Sequence, residues 1–178
     1  MVNKSVTPLP WYVAYTKPRQ ERIALENLEQ QQFNTYLPLF KKLKKPAKNA
    51  PSQELIVTHE PMFPRYIFFQ QREAEQSISK VQYTRGITTI VRFGSELAVA
   101  PAEVLEAIRQ IEDQREQADS EELNPLKPGT KVRLNEQSGL YGLEGLVKVS
   151  SSKRVIVLLE ILGNLRSVKV KPSSVDII

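Results

Sequence analysis

The C-terminal third of the chain contains a glycine pattern that limits what can fold around it. Gly139, Gly142 and Gly145 lie at three-residue spacing, shortly after the segment 131–134, in which apolar and basic residues alternate. Glycine adopts positive φ angles readily and lets two chain segments approach closely. The spacing therefore predicts a tight loop that connects one short strand to the next.

Segments with high strand propensity follow this loop, and they comprise residues 146–149, 154–162 and 168–170. Five short strands within about fifty residues favour a small antiparallel barrel. The segment 154–162 is ambiguous, because its β-branched residues favour a strand. Four of its apolar residues also lie at helical spacing, namely Val155, Leu158, Leu159 and Leu162.

The composition narrows the possible chemistry. The 178 residues include no cysteine and one histidine, His59, so disulfides, thiolate metal sites and histidine clusters are excluded. There is no carboxylate pair at a telling spacing and no glycine loop of the phosphate-binding kinds. We therefore expect no catalytic residues, no cofactor and no metal site, and we expect His59 to be a structural or surface residue.

Charge and hydropathy patterns indicate how the chain is divided. Residues 1–115 carry a net charge of +4, residues 116–125 a charge of −4, and residues 126–178 a charge of +5. This predicts a larger domain over 1–115, an acidic linker over 116–125 and a small domain over 126–178. Two basic domains suit a polyanionic partner, although general solubility explains the same excess of charge.

We expect a monomeric cytoplasmic protein without membrane attachment. No window approaches the roughly 20 apolar residues that a membrane helix needs. The segment 1–5 also lacks the apolar core of a secretory signal.

Apolar periodicity predicts the elements of the larger domain. We expect strands at 11–15, 33–43, 65–69 and 87–93, helices at 21–32 and 101–114, and a short helix at 74–81. Pro38 interrupts the second strand, which favours an edge or a bulge. An apolar stripe marks the last helix and consists of Val104, Leu105, Ile108 and Ile111. This order is typical of an α+β sandwich with an antiparallel sheet and helices largely on one face.

Several motifs, taken in order along the chain, resemble the NusG family of transcription factors. They are Trp11-Tyr12, 60–68 (EPMFPRYIF), 84–86 (TRG), 91–94 (VRFG) and the glycine loop, which is similar to the family's KOW motif. The segment at Lys17, the EPMFP run and VRFG look closest to the RfaH subfamily of specialised NusG paralogs. The resemblance implies an N-terminal NGN domain and a C-terminal KOW domain with an SH3-like barrel. It also implies an elongation factor that binds bacterial RNA polymerase and reduces pausing and termination without covalent chemistry.

The resemblance further implies which residues contact the polymerase. Those that match the surface for the clamp helices of the largest subunit are Tyr66, Phe68, Phe93, Leu105 and Ile108. Ser77 and Ser79 occupy the place of a motif that contacts the gate loop. The alternatives are that the apolar residues form the domain's own core and that the serines belong to an ordinary surface helix.

The positions that match contacts to the displaced non-template DNA strand are Lys17, Gln20, Thr84 and Arg85. Arginine and glutamine can pair with base edges, whereas lysine and threonine serve phosphates. A solvated basic face is the alternative. The lysines at 41, 42, 44, 45 and 48 indicate either contacts to upstream DNA or a solvated loop.

In RfaH-like proteins, the segment equivalent to 154–162 forms a helical hairpin that covers the polymerase-binding surface, then refolds as a barrel on release. Glu60 and Arg154 match the interdomain ion pair of that closed, autoinhibited form. A permanent barrel is the alternative. Ile161 and Leu162 resemble the edge at which the barrel binds a small-subunit ribosomal protein or Rho.

Two other functions remain open at the level of sequence. Glycine-loop barrels of this kind also occur in ribosomal proteins, so one alternative is a ribosome- or RNA-binding accessory protein. The other is an enzyme that acts on nucleic acid.

Overall fold

The computed structural model describes residues 8–47, 49–161 and 164–178. They form two compact units: the first runs to Phe40 and from Glu60 to Arg115, and the second comprises Lys41–His59 and Glu116–Ile178. The segment 41–59, which the sequence analysis assigned to the larger domain, therefore lies in the second unit. The mixed α+β composition confirms the predicted fold class.

The first part of the chain alternates strands and helices. In chain order its elements are β1 (Trp11–Thr16), α1 (Glu21–Gln30), β2 (Asn34–Tyr36), β3 (Leu39–Lys44), β4 (Ile56–Pro61), β5 (Tyr66–Gln70), a 3-10 turn (Ile78–Tyr83), β6 (Ile87–Ile90), β7 (Arg92–Phe93), β8 (Glu96–Leu97), β9 (Val99–Ala100) and α2 (Ala102–Gln117). Within the described ranges, none of the helices has the length and apolar character needed to cross a membrane.

A five-stranded antiparallel sheet organises the first unit. Its strands follow the order β2-β5-β1-β6, and β9 also pairs with β1. In the register between β1 and β5, Val13 lies opposite Phe68 and Tyr15 lies opposite Tyr66. Strands β3 and β4 form a separate two-stranded sheet, as do β7 and β8. The single strand expected over 33–43 is instead two strands, β2 and β3, separated at Pro38, and β2 lies at the edge of the main sheet as predicted.

Helices cover both faces of this sheet. Consecutive residues Ile67, Phe68 and Phe69 of β5 are all buried, so neither face is left to solvent. Ile67 and Phe69 share a core with residues of α1, while Phe68 shares a core with Leu105 and Ile108 of α2. The expectation of helices largely on one face is therefore wrong. A strand that buries consecutive apolar residues needs a layer on each side.

Helix α2 uses only part of its predicted apolar stripe. Leu105 and Ile108 are buried, whereas Val104 and Ile111 remain about half exposed. The helix thus contacts the sheet through a narrow seam and leaves apolar surface beside it.

The second unit ends in a strand-rich domain. Its elements are α3 (Ser120–Leu123), β10 (Lys131–Leu134), β11 (Glu144–Ser150), β12 (Val155–Ile161), β13 (Asn164–Val170), a 3-10 turn (Pro172–Ser174) and β14 (Val175–Ile177). The strands form one antiparallel sheet in the order β13-β12-β11-β10-β14 and share a single apolar core. This confirms the small antiparallel domain predicted from the glycine loop.

The pattern of burial along β12 shows whether the ambiguous segment 154–162 is a strand or a helix. Val155, Val157 and Leu159 are completely buried, whereas Ile156 and Leu158 are only partly buried. Alternation of this kind is the period of a strand, and a helix would instead bury residues three and four apart. Strands β11 and β13 pair with β12 on its two sides. This segment is therefore a strand, and not part of a helical hairpin, in this structure.

The tip of the β3–β4 hairpin belongs to the second unit. Leu43 and Leu55 share a small buried cluster with Leu123 of α3. The backbone N–H of Leu55 also donates a hydrogen bond of 2.9 Å to the carbonyl of Ser152. The acidic segment, expected as a linker, thus contains the end of α2 and all of α3.

We expect the substitution Gly145→Ala to destabilise the second unit. A Cβ at this position would overlap the carbonyl oxygen of Leu158 and come within 2.8 Å of Val157 Cγ1. Overpacking of this kind costs about 1–3 kcal/mol in the free energy of unfolding. Urea denaturation followed by circular dichroism measures the loss. Gly139→Ala is the matched control, since its Cβ would meet nothing within 4 Å, and a change above about 0.5 kcal/mol there would contradict the explanation.

The full-length protein in free solution is expected to have strand-like carbon chemical shifts over residues 155–160. The reason is that both edges of β12 are hydrogen-bonded to neighbouring strands. Backbone assignment by NMR checks this expectation. Helical shifts over the same residues would mean that the free protein adopts the closed hairpin.

Candidate functional site

The structure divides the five apolar residues predicted to contact the polymerase into two groups. Phe93 is 78% exposed and Tyr66 is 40% exposed. Phe68, Leu105 and Ile108 are buried together in the core between α2 and the sheet. Their burial leaves these three side chains almost no surface to offer, because the sheet needs them to hold α2.

A partly buried polar pair, Tyr36 and Glu112, helps to hold α2 against the sheet. The Phe68 ring stacks on Tyr36 with centroids 6.0 Å apart and meets Phe63 edge-on at 6.4 Å. The hydroxyl of Tyr36 donates a 2.7 Å hydrogen bond to Glu112 of α2, and Glu112 also accepts one from the backbone N–H of Leu39. Burial raises the pKa of the Tyr36 phenol well above its usual value, and the hydrogen bond to Glu112 raises it further. The phenol therefore stays protonated and keeps donating to α2.

Tyr66 is held at the start of β5 by a stack of side chains. Its ring centroid lies 5.0 Å from that of Tyr15, and the Arg65 guanidinium carbon lies 4.1 Å from the Tyr15 centroid. Arg65 has a φ of 71°, which is uncommon for a residue other than glycine. Its backbone N–H donates to Glu21 and its Nε donates to the carbonyl of Thr16, and these two bonds support the turn.

Phe93 lies on a tight hairpin outside the main sheet. It pairs with Glu96 across the β7–β8 turn, and Gly94 occupies the turn with a φ of 63°. Arg92 closes the hairpin by donating from its Nη1 to the carbonyl of Ser95 at 2.9 Å. The fold therefore presents a large aromatic ring to solvent on a short, closed turn.

Two loops bring the predicted DNA-contacting residues together. The backbone N–H of Lys17 donates to the carbonyl of Gly86 at 2.8 Å, and that of Gln20 donates to the carbonyl of Lys17 at 3.1 Å. The loop at 17–20 thus lies beside the segment that carries Thr84 and Arg85. Lys17 and Arg85 are exposed, and Gln20 is partly buried.

Thr84 is buried and stabilises the loop, so it is not part of the exposed surface. It is 6% exposed, and its Oγ1 accepts a hydrogen bond of 2.9 Å from Gln31 Nε2 and donates one of 3.4 Å to the carbonyl of Lys80. Gly86 follows with a φ of 91°, and a Cβ there would lie 2.8 Å from the backbone nitrogen of Ala24 in α1. Only a glycine allows this close approach, which fixes the loop against α1.

Ser77 and Ser79 are exposed at the start of a 3-10 turn, where Ser77 is the N-cap residue. Their hydroxyls share a hydrogen bond of 2.8 Å. The expected short α-helix at 74–81 is replaced by the turn Ile78–Tyr83, in which Val81 is completely buried. Tyr83, an exposed aromatic residue at the end of this turn, is not among the site residues predicted from the sequence. An aromatic residue next to the TRG motif was the signal that could have identified it.

Two of the lysines singled out between positions 41 and 48, together with His59, form ion pairs within the second unit. Lys41 Nζ lies 3.8 Å from Glu116, Lys45 Nζ lies 3.1 Å from Asp176, and His59 Nε2 lies 2.8 Å from Glu116. The hydrogen bond with His59, together with the Lys41 charge, lowers the pKa of Glu116. Of the other three lysines, Lys42 and Lys44 are exposed and Lys48 lies outside the described residues.

The remaining predicted sites stay predictions. Glu60 belongs to the first unit and Arg154 to the second. Ile161 is the last residue of β12, and Leu162 lies outside the described residues. In the part of the chain that the structure describes, no three histidine or acidic side chains are grouped in a way that could hold a metal ion.

Comparison with known proteins identifies the family. A family model described as transcription termination factor nusG matches residues 9–112. Among solved structures, the chain is similar to NusG from Thermotoga maritima, with 16% identity, a TM-score of 0.42, and coverage of 95% of this chain and 97% of that one. It is also similar to chains of the MjSpt4:Spt5 complex in conformations A and B. Both are 11% identical over 94% of this chain, with TM-scores of 0.37 and 0.33 and coverage of 97% and 96% of those chains. Because the family match spans more than half of the 178 residues, this chain belongs to the NusG family of transcription factors.

Proposed function

We propose that the chain is an elongation and antitermination factor of the RfaH-like kind. It binds bacterial RNA polymerase and the displaced non-template DNA strand, and it suppresses pausing and termination without catalysing a reaction. The observation that carries the proposal is the exposed ring of Phe93 on a domain that belongs to the NusG family.

The polymerase-binding surface consists of Tyr66 and Phe93, the two members of the predicted set that remain exposed. An exposed aromatic ring that its own domain does not bury favours contact with another protein. Burying roughly 200 Å² of apolar surface contributes on the order of 5 kcal/mol before the costs of association. Two rings on anchored backbone therefore suffice to form the centre of a modest interface. Ser77 and Ser79 add hydroxyl groups for the gate loop.

The strand of DNA displaced by the polymerase binds to the neighbouring loops. Exposed Lys17 offers a charge to a phosphate, while Gln20 and Arg85 offer donors to base edges. Thr84 contributes by holding its loop, since its hydroxyl is already hydrogen-bonded within the domain. Contacts of this kind give weak, salt-dependent binding that becomes useful only next to the polymerase.

The C-terminal KOW domain recruits a second partner, either a small-subunit ribosomal protein or Rho. Support for this comes from an apolar groove of about 320 Å³ on the outside of the sheet. Leu146, Leu158, Leu165 and Ile178 line the groove. Side chains of this type exposed in one place favour a protein partner.

Phe93→Ala is expected to weaken binding to core polymerase by about tenfold or more and to abolish the effect on elongation. The ring is exposed, so the free energy of unfolding should change by less than about 0.5 kcal/mol. Binding to core polymerase and in vitro elongation on templates with pause sites measure the two effects.

Two variants serve as controls for Phe93→Ala. Tyr141→Ala removes another highly exposed ring, from the second unit, and should bind as the wild type does. Phe68→Ala should lower the free energy of unfolding by about 3–5 kcal/mol, which marks a core residue. If the wild-type protein binds RNA but neither binds polymerase nor alters elongation, the accessory-protein alternative replaces this proposal.

Lys17→Ala and Gln20→Ala should affect DNA binding in different ways. Loss of one phosphate contact to a single strand reduces the slope of log K against log salt by about 0.7. We expect this reduction for Lys17→Ala, and an unchanged slope with weaker discrimination between sequences for Gln20→Ala. The Gln20 side chain makes no capping hydrogen bond to α1, so its removal leaves the helix intact. Titration of labelled single-stranded DNA at several salt concentrations measures both, and equal slopes for all three proteins would contradict the assignment of Lys17.

A further inference from the structure

We propose that Tyr83 is a base-stacking site for single-stranded DNA. Its side chain is 81% exposed, the highest exposure among the large apolar side chains of the described residues. The inference rests on the proposed function, because it adds one residue to the surface that receives the displaced strand. It concerns a position that the sequence motifs do not assign.

The backbone on both sides of Tyr83 is fixed. Val81, two residues before it, is completely buried, and Thr84, directly after it, is buried as well. The Thr84 N–H donates to the carbonyl of Val81 at 3.0 Å, and the N–H of Ile87 donates to the carbonyl of Thr84 at 3.0 Å. A ring on an anchored backbone loses little conformational freedom when a base stacks on it.

The residues next to Tyr83 in sequence supply exposed positive charge. Tyr83 ends the 3-10 turn, and Thr84 follows it with extended backbone angles, a φ of −71° and a ψ of 136°. Thr84 is buried, whereas Tyr83 before it and Arg85 after it are both exposed. Lys17 is brought to this segment by its hydrogen bond to Gly86.

An aromatic ring beside exposed cations fits a single nucleic-acid strand better than an apolar protein surface. Bases stack on aromatic side chains whatever their sequence, while nearby cations follow the phosphates. Lys80, three residues before Tyr83, and Arg85, two residues after it, are exposed, so a polyanion is attracted to this part of the surface. A protein partner that buried Tyr83 would have to neutralise or desolvate these charges.

The test is the binding of the full-length protein to a fluorescein-labelled, mixed-sequence DNA strand of about 12 nucleotides, followed by anisotropy. Tyr83→Ala should weaken binding by about fivefold or more, which corresponds to the lower end of the free energy that one base gains by stacking on an aromatic ring. Tyr83→Phe should bind within about twofold of the wild type, because it keeps the ring. Both variants should keep the wild-type dependence on salt, because no charge is removed. Thermal unfolding of each variant verifies that the fold is unchanged.

Four results would overturn the inference. Unchanged binding by Tyr83→Ala, with weaker binding by Arg85→Ala, would refute stacking and leave the proposed DNA contact intact. Binding by Tyr83→Leu as tight as the wild type would mean that any apolar side chain suffices. A loss of polymerase binding by Tyr83→Ala, with DNA binding unchanged, would assign Tyr83 to the protein interface. If the wild type does not bind DNA, or if Arg85→Ala does not weaken its DNA binding, the DNA-binding part of the proposed function is refuted. The stacking site is then refuted with it.

Discussion

The pairing of β1 with strands on both of its sides is the constraint on which the first unit depends. Strand β5 lies along one edge, while β6 and β9 share the other. Because side chains alternate along a strand, β1 and β5 supply two separate cores, one under α1 and one under α2. Each candidate surface lies where these strands end and their loops begin. Burial of Phe68 beneath α2 and exposure of Tyr66 two residues earlier are consequences of one register.

Close approach of backbone segments then joins the loops into one surface. Gly86 lies against α1 where a side chain would not fit, and its carbonyl accepts the bond from Lys17. Thr84 holds the same loop through Gln31. The exposed residues of these loops are consequently those beside the buried ones, which explains how a basic and aromatic surface forms here. Rigid positioning of a few exposed groups suits the binding role proposed above.

The second unit follows a simpler rule, in which strand pairing outweighs helical propensity. The segment at 155–159 has apolar residues at both helical and strand spacing, and local preference alone does not separate the two. Pairing with β11 and β13 buries Val155, Val157 and Leu159 completely and satisfies the backbone on both edges. Gly145 allows this pairing because the carbonyl of Leu158 occupies the space that a side chain would need. This segment can therefore be a stable strand of the sheet while keeping a sequence that is compatible with a helix.

The sequence by itself determined the α+β class, the strand-rich C-terminal domain and membership of the NusG family. These depend on local periodicity, on glycine positions and on the order of short motifs, all of which are properties of the chain. Only the tertiary structure decided that Phe68, Leu105 and Ile108 are core while Tyr66 and Phe93 face solvent. It also decided that α1 and α2 cover opposite faces and that the ring of Tyr83 stays exposed. Apolar side chains look alike in a sequence, and whether one is buried depends on which distant segment packs over it.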